Sequence, residues 1–244
     1  MVGGASPLLG RGAAAAAILA GVIPYYVWQD NLPRYSLWTD IGLIALVLMP
    51  LVFALVWLAL PLRTARLLLP AGIAGIVLFL VLQKLGVGIV ANFLKLGAMT
   101  AIAFWFLGFF ESVLWVALVA GIVPWVDAYS VWRGPTKEIV NHHAHVFSTL
   151  SFAFPVPGEH GELSLGLPDL LFFALFLAAA ARWRLRVGWT WLALVVSLGS
   201  TMALAVWLNL SGLPALPGLA LGFLVPNADL LWRAWQARPR GAPA

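Results

Sequence analysis

Five ionisable residues lie inside or beside long apolar stretches of this chain: Lys95, Glu111, Asp127, Asp169 and Asp229. An ionised group at the centre of a membrane helix costs at least about 2.5–3.5 kcal/mol, so each of them needs a reason to be there. Asp127 falls about six residues before its apolar run ends at Trp132 and Arg133, and Asp169 about five residues after the next run begins near Ser164. At 1.5 Å of rise per residue, each carboxyl sits roughly 8–9 Å below the same face. Consecutive spans are antiparallel, so the sequence sets two carboxyls at matching depth on neighbouring helices. Two carboxyls in one low-dielectric site cannot easily both ionise, and such a pair holds one proton between them. That is a tool for hydrolysis: the carboxylate activates water while the carboxylic acid polarises a carbonyl. The bland alternative for either residue alone is a helix-end carboxylate reaching for water.

The elements that must hold this pair follow from composition. Of 244 residues, 63% are apolar, 9% charged and 13% aromatic, with 13 Trp and no Cys. Soluble domains carry about 25% charged residues, so a water-facing surface, a disordered chain and a disulfide-framed module are all excluded. A membrane barrel would show alternating segments of about ten residues. The apolar runs here are unbroken and number eight: 13–29, 39–61, 67–83, 85–110, 112–132, 164–181, 187–209 and 213–232. Each suffices for a span of about 20 residues. The fold class is therefore an all-α transmembrane bundle of eight spans, with room for a ninth short span or a re-entrant piece in the region 67–110, which Lys84 and Lys95 interrupt. Residues 1–111 read as scaffold and 112–244 as the catalytic part of one membrane domain.

The net charge is +5. Its carriers sit in short gaps between apolar runs, where topology and lipid headgroups account for them and nucleic acid is not needed. Absence of Cys removes thiol catalysis and thiolate metal sites. With eight spans, one side collects nine basic residues: Arg11, Arg63, Arg66, Arg182, Arg184, Arg186, Arg233, Arg238 and Arg240. The other collects four: Arg34, Lys84, Arg133 and Lys137. The positive-inside rule then puts both termini in the cytoplasm and the polar segment 133–163 outside. The Ala-rich start lacks a cleavage site leading into a polar segment, and Tyr25, Tyr26 and Trp28 follow it as an interfacial belt would. It reads as a retained span. The Ala, Leu, Arg and Trp bias and the short loops point to a prokaryotic plasma membrane.

Two further segments gather on the face of the aspartates. The turn from Asn209 to Pro217 carries Pro214 and Pro217, which fix φ and remove two donors, so it is not a regular helix throughout. Non-helical backbone at membrane depth belongs where protein buries it or a wet cavity receives it. Prolines that merely open the next helix are the simpler account. Before Asp169, Leu150, Phe152 and Phe154 alternate with Ser151 and Ala153. A turn-rich Pro157-Gly-Glu-His-Gly161 follows, and then Glu162–Gly166 alternates again. This predicts a hairpin at the mouth of the Asp169 span, either a cap or an edge on which an unwound chain pairs by strand addition. His142, His143 and His145 with Glu138 give a one-faced cluster, read as a solvated interfacial helix rather than zinc ligands. Asp229 and Arg233 read as an i, i+4 ion pair, and Lys95 is left without an assigned role, structural snorkelling being a simpler account than function.

At these positions the sequence resembles a known family. Asp127-Ala-Tyr-Ser-Val131 followed by Gly134-Pro-Thr-Lys137 resembles the first aspartate segment of the GxGD intramembrane aspartyl proteases, the presenilin and signal peptide peptidase family. Gly166-Leu167-Pro168-Asp169 resembles their second aspartate motif. Pro214-Ala215-Leu216-Pro217 resembles their PAL signature. Order and spacing agree over about residues 112–232; the first four spans match by hydrophobicity alone. The resemblance implies a bundle of usually nine spans that hydrolyses single-span transmembrane proteins or signal peptides within the bilayer. It implies Asp127 and Asp169 as the catalytic residues, with Gly166, Leu167 and Pro168 and the PAL residues against the substrate, and no metal or cofactor. The orientation matches signal peptide peptidase rather than presenilin. Two positions depart from the pattern: Val126 stands where Tyr is usual, and Pro168 where Gly is usual. The alternatives are a proton-coupled transporter, which also uses buried carboxylates and broken helices, and a substrate-binding pseudoprotease of weak catalysis. No convincing internal repeat supports the transporter.

Overall fold

The computed structural model describes residues 7–133, 149–159, 161–208, 210 and 213–237. All eight apolar runs are helical. They form α1 (Pro7–Trp28), the pair α2 (Leu37–Leu43) and α3 (Met49–Ala59) joined by a π turn at Ile44–Leu48, and α4 (Leu68–Lys84). These are followed by α5 (Gly88–Phe106) and α6 (Val113–Arg133), then α7 (Leu167–Arg182), α8 (Val187–Trp207), α9 (Leu216–Leu224) and α10 (Ala228–Gln236). Five helical stretches are long and apolar enough to cross a membrane: Leu8–Asn31, Leu37–Thr64, Gly88–Phe109, Val113–Val131 and Val187–Trp207. The chain is an integral membrane protein. The region 67–110 resolves into two helices, joined at Gly86, whose φ of +78° makes the tight reversal that a side chain would resist.

The bundle is organised around α7. Phe173 through Ala180 are buried without interruption, so this helix is apolar on every face and has no lipid-facing side. It packs against α5, α8 and α9 and touches α6. Phe53 of α3 stacks on Phe173 with ring centres 4.1 Å apart, and Phe223 of α9 stacks on Phe176 at 5.1 Å. The outer helices contrast with it: α4 exposes Ile73, Val77, Leu78, Leu80 and Val81, a surface that only lipid tails would wet.

The hairpin expected before Asp169 is present. Strands β1 (Ser151–Pro155) and β2 (Glu162–Gly166) pair antiparallel, with Ser151 opposite Gly166 and Ala153 opposite Ser164. Phe152 and Phe154 point into the core and are buried. The sixth run therefore opens as strand, and its helix starts at Leu167. The eighth opens as extended chain and becomes helical at Leu216. It then breaks at Val225–Asn227, where Pro226 interrupts the helix.

Three sequence expectations are corrected. Tyr25 and Tyr26 are not a belt: their hydroxyls donate to Pro155 O at 2.7 Å and Ala153 O at 2.9 Å, which ties α1 to β1. Asp229 pairs with Arg186 rather than Arg233, through two bonds of 2.7 and 2.8 Å. The kink at Pro226 turns the start of α10 toward the start of α8, and Arg186 also donates to Pro226 O. Lys95 does not snorkel. It is buried, and its amine donates to Ser151 O at 2.9 Å.

Candidate active site

Asp169 is the third residue of α7, not the sixth of a run as the apolar pattern implied. Its carboxylate folds back to accept the N–H of Gly166 at 3.1 Å, half of a capping box; glycine has no side chain to return the other half. Leu167 N–H is taken by Leu150 O at 3.0 Å. Pro168, the departure from the family pattern, occupies a first-turn position where an amide has no partner within the helix. Its missing N–H therefore costs no helical bond. A Cβ on Gly166 would come within 3.2 Å of the Asp169 carboxylate, so a small residue there keeps the oxygen close to the backbone.

Asp127 lies on α6 and is half-buried. Its Oδ2 accepts the N–H of Leu216 at 3.0 Å. Leu216 is the first residue of α9, after Ala215 as N-cap and before Pro217 in the first turn. A carboxylate on one helix thus satisfies an orphan donor at the start of another, where the helix dipole also favours negative charge. Pro214 and Ala215 remain outside the helix, as the two prolines predicted, and Ala215 and Leu216 are buried.

The depths of the two carboxyls compare best from the far ends of their helices. Arg182, at the end of α7, donates to Leu107 O at 2.6 Å, just before α6 begins, which sets those ends near one level. From Arg182 back to Asp169, and from Val113 on to Asp127, the helical rise is about 20 Å in each case. Both carboxyls thus stand a similar helical distance from the Arg182–Leu107 contact, although the boundary from which the apolar pattern counted to Asp169 is a strand. α6 packs on α9 and touches α7.

Gly166, Leu167 and Pro168 lie at the start of α7 with Asp169, and Pro214, Ala215, Leu216 and Pro217 lie at the start of α9, where Leu216 meets Asp127. Glu111 is exposed in the turn before α6 and takes no part. Gly134 to Lys137, Glu138 and the three clustered histidines, His142, His143 and His145, lie outside the described residues. Among the described residues no group of three His, Cys, Asp or Glu side chains converges as metal ligands would. No protein family, curated protein or solved structure matches the chain.

Sequence reasoning missed the polar side chains that hold β1. Asn92 and Lys95 sit three apart on α5, and each is buried. The available signal was that spacing: two costly polar groups on one helical face of an otherwise apolar span.

Proposed function

We propose that the protein is an intramembrane aspartyl endopeptidase of the presenilin and signal peptide peptidase kind. It would cleave single-span transmembrane proteins or signal peptides, with Asp127 and Asp169 as its catalytic pair. The observation that carries this reading is the meeting of three segments far apart in sequence: Asp127 is hydrogen-bonded to the backbone of the Pro-Ala-Leu segment, and Asp169 lies on the helix packed beside both. With one carboxyl ionised and one protonated, the carboxylate takes a proton from water as its oxygen bonds to the scissile carbonyl carbon. The carboxylic acid donates to the carbonyl oxygen. Collapse breaks the C–N bond, the amine leaves with a proton, and the pair is restored to a single shared proton.

A helical substrate hides its carbonyls in its own hydrogen bonds, so it must unwind at the site. The hairpin offers a place for the freed strand. β2 pairs with β1 on one side, and no further strand covers its other side among the described residues. On this reading the charge bias of the loops supports a mouth that opens outside a prokaryotic plasma membrane and a cytoplasmic C-terminus.

The test is purified protein with a fluorogenic transmembrane peptide, alongside Asp127→Ala and Asp169→Ala. Cleavage lost in both variants supports the peptidase. Proton-linked flux without cleavage supports a transporter, and peptide binding without turnover supports a pseudoprotease.

A further inference from the structure

The outer edge of β1 is closed by side chains. Leu150 with Leu167 and Val156 with Gly161 are hydrogen-bonded neighbours across the hairpin. By the alternation of an antiparallel ladder, Ser151, Ala153 and Pro155 then turn their backbone groups away from β2. All three outward carbonyls have donors. Ser151 O receives Lys95, Ala153 O receives both Asn92 at 2.9 Å and Tyr26, and Pro155 O receives Tyr25. Asn92 also accepts from Ala153 N at 2.9 Å, so its amide pairs with this residue as a third strand's peptide group would. Pro155 has no N–H to leave unpaired.

From this closed edge a short path of neighbouring groups, with Ser151 and Gly166 facing each other as a non-hydrogen-bonded pair, leads to Asp169. Lys95 holds Ser151, Ser151 faces Gly166 across the hairpin, and Gly166 N–H is bound by the Asp169 carboxylate. Burying an amine on α5 is costly, and a strand packed on the core by Phe152 and Phe154 does not need it for cohesion alone. The Phe79 ring lies 5.8 Å from the amine, beside its bond to Ser151 O.

We propose that Lys95 and Asn92 are positioning residues that fix the register of the hairpin and thereby which substrate bond meets Asp127 and Asp169. The proposal rests on the peptidase reading for its catalytic readout. A strand that slips by one residue exchanges its two faces, so register and cleavage position are coupled.

The experiment compares wild type, Lys95→Met, which keeps the shape and loses the donor, and Lys95→Gln, which keeps a donor without the charge. Two quantities are measured on the full chain: hydrogen exchange of the hairpin amides without substrate, and the masses of products from a transmembrane peptide. Lys95→Met is expected to speed exchange in both strands, to displace or spread the cleavage sites, and to lower kcat by about tenfold to a hundredfold with KM little changed. Lys95→Gln is expected to keep the wild-type products. If Lys95→Met does not fold, Tyr26→Phe removes one bond to Ala153 O and carries the same test at smaller amplitude. A folded variant with wild-type exchange, or with the same product masses at wild-type kcat, overturns the proposal. A wild type that cleaves no peptide overturns the peptidase reading and the register claim with it, while exchange alone still decides whether Lys95 anchors the hairpin.

Discussion

The first turns of α7 and α9 share the same opening dipeptide, Leu167-Pro168 in one and Leu216-Pro217 in the other, and differ in where the capping carboxylate comes from. In α7 it is local: Asp169 occupies the third helical position and reaches back to Gly166. In α9 the third position is Gly218, and a Cβ there would meet Ser197 Oγ of α8 at 2.6 Å. A side chain there would have to displace Ser197 Oγ, and the cap arrives instead from α6 as Asp127. The comparison teaches that the two aspartates have unequal structural duties beside their proposed shared chemistry. Asp169 organises its own turn; Asp127 joins two helices.

The largest effects that would sharpen this comparison are catalytic. Asp127→Asn and Asp169→Asn each retain a side-chain oxygen that accepts from the backbone, yet neither supplies a proton or a carboxylate. Each is expected to lower peptide cleavage by a hundredfold or more, on the order of what a positioned acid or base contributes. Equal loss in the two variants is the expected symmetry of chemistry, measured as initial rates in one detergent.

Stability should break that symmetry. Asp127→Ala removes a cap that α9 cannot replace, and is expected to cost about 1–2 kcal/mol, whereas Asp127→Asn should recover most of it. Asp169→Ala leaves Leu167 N–H bound to Leu150 O and is expected to cost about 1 kcal/mol or less. Thermal unfolding in detergent ranks the four variants. A larger loss in Asp169→Ala than in Asp127→Ala would reverse the assignment of local and borrowed caps.

The prolines give a smaller effect. Pro168→Gly places the family's usual residue before Asp169. No hydrogen bond changes, so the expected loss of about 1 kcal/mol comes from the freer unfolded chain. The smallest effect belongs to the exposed Arg186–Asp229 pair: Asp229→Asn is expected to leave thermal unfolding nearly unchanged, despite its two short bonds, because water screens the pair.

The helices were legible because eight apolar runs separated by charges leave few other solutions. Phe152 and Phe154 made the hairpin legible through their alternation with Ser151 and Ala153. The boundary of α7 was read in two competing ways, because Leu163 and Leu165 are apolar in strand or helix: the apolar run began near Ser164, whereas the alternation over Glu162–Gly166 marked the strand that does end where the helix starts. The pairing of Asp127 with Leu216 was out of reach in a different way. It is a side chain bonded to a backbone amide across 89 positions of sequence, and no residue type at Leu216 announces it. Lys95 was misread because its length permits snorkelling, and the strand that receives it lies 56 positions away.

The most direct test of the central claim is a cross-link between the two acidic positions. The chain contains no cysteine, so Asp127→Cys with Asp169→Cys introduces a single thiol pair. Gly75→Cys with Ala98→Cys serves as the positive control, since a Cβ built at Gly75 lies 3.0 Å from that of Ala98. Treated in membranes with a short bifunctional thiol reagent, both pairs are expected to cross-link, shown by intact mass and by a linked fragment after proteolysis. A control pair that cross-links while the 127–169 pair stays free would contradict the account.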